Sequence, residues 1–349
     1  MQTLLSPDNN FRELDQYLAQ YQQIFLVCSG SFRRLTVGAH LKELEGQGRI
    51  LLRSFCGFSP NPSWEEVQSG TALFQASGCG LIAAVGGGSA IDTAKCIRYT
   101  AGSHVPLLAI PTTAGSGSEA THFAVVYRQG VKESVDCGLP EAVLMDPSAL
   151  DTLPDYQRKA TMLDALCHGV ESFWSKKATA ESREYSGQAI RRIMDSYAGY
   201  LQNTPEGNAG MMKGAHLAGK AINLAQTTAG HAMCYQITKL YGLAHGHAAA
   251  LCVARLWPYV LDHAAASTES GLRQTLEAIA DAMGCGSSRE GAERFQNILT
   301  RMELEVPACT EQELAGLTAS VNPARLNNFP ISLTEREIQT LYQEILKGR

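Results

Sequence analysis

The 349-residue chain has no excess of positive charge: 29 lysines and arginines stand against 34 aspartates and glutamates, a formal net charge of −5. Without a basic field it lacks the electrostatic footprint of a nucleic-acid or anionic-membrane binder. No apolar run approaches the roughly 20 residues that span a bilayer, and Met1 to Glu13 carry polar and acidic residues where a signal peptide would be apolar. A soluble, cytoplasmic protein is expected. The ten cysteines form no C-x-x-C pair, and Cys28 and Cys252 lie inside apolar runs. They read as small reduced core side chains, neither a disulfide framework nor a zinc knuckle. Internal repeats and low-complexity tracts are absent too.

What is present is a chain 45% hydrophobic and 18% charged, with enough apolar material for two moderate cores. After a polar, amphipathic start in which Tyr17, Leu18 and Tyr21 suggest a short helix, short continuous apolar runs recur. They are Ile24 to Cys28, Ile50 to Leu52, Leu81 to Val85, Leu107 to Ile110 and Ala142 to Met145, with helical segments between them. Runs buried on both faces and alternating with helices predict a doubly wound parallel sheet of the Rossmann type. From about Thr152 the pattern becomes helical: Thr161 to Lys176, Ala180 to Leu201, Gly210 to Gln226, Ala248 to His263, Leu272 to Met283 and Ser332 to Leu346. Loops are expected at Thr204 to Asn208 and Gly284 to Ser288. The predicted organisation is an α/β domain over 1–153 and an all-helical domain over 154–349.

Two loops suit an anion. Gly86-Gly87-Gly88-Ser89 follows the run Leu81 to Val85 and opens a helix, where bare N–H groups and the positive helix end can approach a phosphate. The wording matches neither G-x-G-x-x-G nor the P-loop, so the generic rules yield an anion site and no more. Ser89 and Asp92 also have the spacing of a capping arrangement. The second loop, Pro111 to Glu119, follows the run Leu107 to Ile110 and carries the hydroxyls of Thr112, Thr113, Ser116 and Ser118. Two such loops at strand ends are what a pyrophosphate requires.

Histidines gather in A-G-H-A-M-C-Y-Q-I-T-K-L-Y-G-L-A-H-G-H, which holds His231, His245 and His247 of nine in all. On one unbroken helix His231 and His245 would point about 40° apart yet lie roughly 21 Å apart along the axis, too far to share an ion. They belong to different segments, with the break at Gly242 or the Ala244-His245-Gly246 step. Upstream, Asp164 and His168 are i and i+4 on one helix face. One carboxylate with two or three imidazoles suits a borderline divalent cation such as iron(II) or zinc. Read alone, Asp164 and His168 are equally an i,i+4 hydrogen-bonded pair.

G-G-G-S-A-I-D-T-A-K, P-T-T-A-G-S-G-S-E-A-T, Asp146-Pro147, D-A-L-C-H-G-V-E-S, H-A-M…H-G-H and Arg325-Leu326-Asn327-Asn328 together resemble the iron-containing (group III) alcohol dehydrogenases, over nearly the whole chain. The resemblance implies the iron-alcohol-dehydrogenase fold, related to dehydroquinate synthase, with NAD(P) and one metal held in a cleft. It implies Asp164, His168, His231 and His245 as ligands of Fe(2+), with Zn(2+) the alternative. It implies a cofactor site formed by Gly86, Gly87, Gly88, Ser89, Asp92, Thr112, Thr113, Ser116 and Lys132.

Departures are informative. Where many members carry a proton-relay histidine four residues after the third ligand, Tyr235 stands; candidates for proton handling are Tyr235, His247 and Asp92. Where NAD-preferring members place an aspartate after the first strand, this chain has Ser29, with Arg33 and Arg34 close by to pair with a 2′-phosphate, so NADP(H) is expected to be used at least as well as NAD(H).

N-L-A-Q-T-T-A-G-H-A-M-C-Y and F-A-V-V-Y-R-Q-G-V-K-E-S-V resemble the subgroup that reduces phosphonoacetaldehyde to 2-hydroxyethylphosphonate, and His122 and Arg325 are candidates to meet the phosphonate. Lactaldehyde, sulfoacetaldehyde and glycerol-type substrates stay open, as do a dehydroquinate synthase-like lyase and a silent nucleotide-binding subunit. The expected partners are a small aldehyde or alcohol and a second copy of the chain in a homodimer.

Overall fold

The computed structural model describes residues 2–7, 10–102, 104–266 and 270–348, apart from the side chains of 270, 324, 325, 347 and 348. It divides into two compact units, Met1–Pro154 with Gln202–Met212, and Asp155–Leu201 with Lys213–Arg349.

The first unit is built on β1 (Thr3–Leu5), β2 (Gln23–Cys28), β3 (Leu51–Phe55), β4 (Leu81–Gly86), β5 (Leu107–Pro111) and β8 (Ala142–Leu144), with β6 (Phe123–Arg128) and β7 (Val131–Asp136) set apart. The six-stranded sheet runs β1-β8-β5-β4-β2-β3. Every neighbouring pair is parallel. Helices α1 (Arg12–Leu18), α2 (Thr36–Gly46), α3 (Trp64–Ser77) and α4 (Gly88–Thr100) supply the covering layers.

Successive strand residues point to opposite faces, and the two cores show it. Leu26, Ala83, Val85, Leu108 and Ile110 pack with Leu14, Leu18, Leu41 and Leu44 of α1 and α2. Phe25, Val27, Ile82, Ala84, Leu107 and Ala109 pack with Val67 and Phe74 of α3 and Ile91, Ala94 and Ile97 of α4. The sheet is doubly wound because its inner strands β2, β4, β5 and β8 are apolar on both sides, while the edge strands β1 and β3 are partly exposed.

Strands β6 and β7, which no continuous apolar run announces, form an antiparallel hairpin turning at Gln129 and Gly130, whose φ angles are +51° and +78°. Positive φ at both central residues is the turn that matches strand twist. Neither strand is continuously buried, β6 burying only Ala124 and Val126, so the run lacks the continuous apolarity of the inner sheet strands. Its inner face, Ala124 and Val126, completes the core over α4.

The second unit contains α5 (Asp155–Trp174), α6 (Ala180–Leu201), most of α7 (Pro205–Ala225), α8 (Ala229–Tyr241), α9 (His245–Ala266), α10 (Ser270–Ala282), α11 (Ser288–Arg301), α12 (Glu311–Ser320), α13 (Pro323–Leu326) and α14 (Glu335–Ile345). The loop expected over Thr204 to Asn208 is instead the first turn of α7. Pro205 opens the helix, a position where its missing N–H costs nothing. The segment from Gln202 to Met212 groups with the first unit because Asn203 and Asn208 donate to the backbone oxygen and the carboxylate of Asp151, at 2.9 and 3.0 Å. Helices α11 and α12 went unread; each starts with a hydroxyl cap, Ser287 on the Glu290 N–H and Thr310 on that of Glu313. One departure from all-helix is a two-residue parallel pairing of Ala308–Cys309 with Lys347–Gly348. Among the described residues no helix is long and apolar enough to cross a membrane.

Candidate metal centre and nucleotide loops

Asp164, His168 and Glu171 form a stripe at i, i+4 and i+7 on α5, exposed by only 6, 5 and 0%. His231 enters from the first turn of α8, which starts after Thr228. Its Nε2 lies 3.4 Å from Asp164 Oδ1, its ring lies 4.6 Å from that of His168, and His168 Nε2 is 3.9 Å from the same oxygen. One donor atom from each of Asp164, His168 and His231 falls within 4.8 Å of the others. Helix α8 ends at Gly242 in a left-handed turn, φ +68°, which lets the chain reverse so that His245 opens α9. The His245 ring comes to 5.2 Å from that of His231 and lies parallel to Tyr235 at 5.4 Å.

Electrostatics favour a cation here. Burial by itself would raise the Asp164 carboxyl, but the imidazoles of His168, His231 and His245 pull it well below the usual range. Burial by itself would lower His231, yet Glu171 and Asp164 push it up to about 9. Glu171, opposed by burial, is drawn below its ordinary value by His231 and by the Thr228 donors. A buried carboxylate with imidazole nitrogens converging on it is a donor set that suits iron(II) or zinc.

Glu171 was part of the motif read from sequence but received no role there. Its signal was the i+7 spacing from Asp164. Its Oε1 accepts from the Thr228 N–H at 3.0 Å, the Thr228 hydroxyl at 2.6 Å and the His231 N–H at 3.3 Å, and its Oε2 pairs with His231 Nδ1.

His247, a candidate for proton handling, lies next to the turn between α8 and α9. It is 1% exposed, and its Nδ1 lies 3.2 Å from the Tyr156 hydroxyl, which in turn accepts the Ala244 N–H at 2.9 Å. That hydroxyl therefore donates to the ring, and burial lowers His247 to about 4, keeping it neutral. Through Nδ1 the side chain braces the turn that carries His245. Tyr156 was not identified from sequence.

In the first unit, strand order reverses between β2 and β4, the switch point at whose carboxyl ends doubly wound sheets bind ligands. Those ends lead into Ser29 and into Gly87. Helix α4 starts after Gly87 with no side-chain cap. The expected Ser89–Asp92 cap does not form: the Ser89 hydroxyl donates to the Pro60 carbonyl at 2.5 Å, and Asp92 accepts the Val125 N–H at 2.9 Å. The helix end is left open to an anion. A Cβ on Gly87 would meet Thr113 Oγ1 at 3.1 Å, and one on Gly88 would meet Ser116 Oγ at 2.8 Å, so the two small-residue loops touch. Thr112 joins them through its N–H to the Gly86 carbonyl, 3.0 Å.

Asp92 is 7% exposed and 3.7 Å from the Lys95 ammonium, which donates to Thr121 Oγ1 and the Phe123 carbonyl at 2.9 Å each. Burial pushes Asp92 up and Lys95 down. Engaged with the hairpin in this way, Asp92 holds β6 on α4 through its Oδ2. Lys132 pairs across the hairpin from Tyr127 and is half-buried. Ser29 Oγ is 2.8 Å from Ser31 Oγ, and Arg33 and Arg34 are exposed on the turn that follows. His122 is half-buried just before β6, edge-on to Phe123 at 5.5 Å. The Arg325 side chain lies outside the described residues.

A nucleotide-type sheet and a helical unit with a buried carboxylate–imidazole cluster place the protein among metal-dependent nicotinamide oxidoreductases. The profile of iron-containing alcohol dehydrogenase matches residues 2–147, and that of the C-terminal part of the Fe-containing alcohol dehydrogenase family matches residues 159–346. The chain belongs to the iron-containing alcohol dehydrogenase family. Membership implies a metal and NAD(H). Phosphonoacetaldehyde reductase of Streptomyces viridochromogenes is 30% identical over 298 residues, 75% of either chain. Lactaldehyde reductase of Escherichia coli is 27% identical over 264 residues, 69% of each. An iron-containing alcohol dehydrogenase from Thermococcus thioreducens superposes with a TM-score of 0.87 at 20% identity, covering 100% of this chain and 99% of that one. Sulfoacetaldehyde reductase from Bifidobacterium kashiwanohense, solved with NAD+, gives 0.86 at 22% identity, covering 99% and 97%.

Proposed function

We propose that the protein reduces phosphonoacetaldehyde to 2-hydroxyethylphosphonate in the cytoplasm, with hydride from NADPH or NADH and a divalent metal held by Asp164, His168, His231 and His245. The observation that carries the reading is the convergence of Asp164, His168 and His231 donors within 4.8 Å in a buried setting, with His245 alongside. A bound iron(II) or zinc supplies Lewis acidity toward a carbonyl oxygen. Asp164 and the three imidazoles hold that ion by charge and by neutral nitrogens. The Tyr235 phenol, flat against His245, is the one candidate proton donor stacked on the cluster itself.

The uncapped start of α4 and the loops around Thr112, Thr113 and Ser116 receive the pyrophosphate. Ser29 offers no carboxylate against a 2′-phosphate, and the exposed Arg33 and Arg34 favour one. Free thiols at all ten cysteines suit a reducing compartment. The phosphonate substrate is supported by the 30% identity to phosphonoacetaldehyde reductase and by the His122 and Arg325 candidates. We read the working form as a homodimer, which light scattering would test.

The deciding experiment is a panel of phosphonoacetaldehyde, lactaldehyde, sulfoacetaldehyde and propanal assayed with NADH and NADPH on metal-loaded enzyme. Highest kcat/KM on phosphonoacetaldehyde supports the reading. Faster turnover of lactaldehyde or propanal overturns the substrate and keeps the dehydrogenase. Absence of steady-state nicotinamide oxidation with every aldehyde would point to a lyase or a silent subunit.

A further inference from the structure

We propose that Glu171 is a positioning residue that keeps the proton of His231 on Nδ1 and so leaves Nε2 free to ligate the metal; the proposal rests on the metal reading above. Trp174 lies one helical turn on from Glu171, and its indole Nε1 is 3.0 Å from Thr228 Oγ1. An indole nitrogen only donates, so Thr228 Oγ1 accepts there and its own hydrogen is directed elsewhere. The neighbour in reach is Glu171 Oε1 at 2.6 Å. That same oxygen takes the backbone N–H groups of Thr228 and His231. Three donors therefore converge on Oε1, and the carboxylate meets His231 Nδ1 with Oε2. A carboxylate offers only acceptors, so Nδ1 keeps its hydrogen against Glu171; Nε2 faces Asp164 Oδ1 at 3.4 Å inside the cluster, and it is the nitrogen a metal would take.

The enclosure explains why this arrangement is rigid. Glu171 is fully buried, and a Cβ on Gly230 would sit 3.1 Å from its Cδ and Oε1 and 2.6 Å from Val253 Cγ2. Glycine there admits the carboxylate to the start of α8. An anion so enclosed is tolerable only with its donors in place.

Glu171→Gln tests the idea with little change of shape. Three donors fix the amide oxygen in the Oε1 place, which turns the NH2 toward Nδ1, donor against donor. The ring must then carry its hydrogen on Nε2, where a metal would bind. Zinc(II), which is redox-inert, is titrated against a competing chromophoric chelator, and ¹⁵N NMR of the zinc-loaded wild type reports which His231 nitrogen is protonated. We expect zinc binding roughly 10- to 100-fold weaker in Glu171→Gln, the scale of losing a carboxylate behind a ligating histidine. The urea midpoint of the metal-free variant should stay near that of wild type. Glu171→Asp, which keeps the charge, should restore part of the affinity. The wild-type spectrum should show a proton on Nδ1.

Wild-type zinc affinity in Glu171→Gln, or an unprotonated Nδ1 in zinc-loaded wild type, overturns the proposal. The spectrum decides even if the glutamine variant fails to fold. Failure of the wild type to bind zinc or iron(II) at all would be a different result, sinking the metal reading itself.

Discussion

Gly246 and Asp164 are so close that a Cβ on the glycine would meet the Asp164 Cβ at 2.5 Å and its backbone nitrogen at 2.8 Å. It would also meet the Ala160 carbonyl oxygen at 2.1 Å. The first turn of α9 lies against α5 only because residue 246 has no side chain, and that approach is what carries His245 to the cluster. Gly246→Ala must push the helices apart. We expect it to lower stability by about 1–3 kcal/mol, the range for overpacking, and to reduce bound metal below one per chain. Urea unfolding and metal analysis measure the two effects; full metal content with unchanged stability would show that α9 tolerates the shift.

Metal removal should be felt as lost stability. A ligand present at 100 times its dissociation constant adds about 2.7 kcal/mol to the folded state. Chelation of the iron- or zinc-loaded protein should therefore lower its melting temperature. His231→Ala, which lacks a central donor, should melt at the same temperature with and without chelator. A chelator effect of wild-type size in that variant would remove His231 from the ligand set.

Cofactor choice is predicted to turn on Ser29. Ser29→Asp places a carboxylate at the end of β2, where it binds ribose hydroxyls and repels a 2′-phosphate. The ratio of kcat/KM for NADPH over NADH should fall by roughly one to two orders of magnitude, the scale of a charge-assisted contact. A wild type already selective for NADH would assign the ribose to some other residue.

For the substrate, His122→Ala or Arg325→Ala should raise KM for phosphonoacetaldehyde by roughly one to two orders of magnitude and leave propanal almost unchanged. Loss of both activities in proportion would mean that the side chain supports the fold and not the phosphonate.

Much of this molecule is written in its local patterns. Leu81 to Val85, like the runs of β2, β5 and β8, is continuously apolar because a strand covered on both faces has no polar side to show, and that made the parallel sheet legible. The i,i+4 pair Asp164 and His168 was legible because helical geometry fixes which residues share a face. The glycine turn that opens α4 was legible for a similar reason, since bare backbone is itself the feature.

The tertiary structure decided whatever depends on approach between distant segments. Ser89 has the spacing to cap α4 but reaches Pro60, and Asp92 is claimed by Val125 of a hairpin whose partly buried strands carry a weak periodic signal. His247 stands two residues from the candidate ligand His245 in sequence, yet Tyr156 takes its ring. Glu171 stood in plain view three residues after His168. Its role appeared only when α8 brought Thr228 and His231 onto its two oxygens, an encounter made possible by the absent side chain of Gly230. Periodicity reports which face of an element is buried; which partner waits on that face is set by packing across the chain.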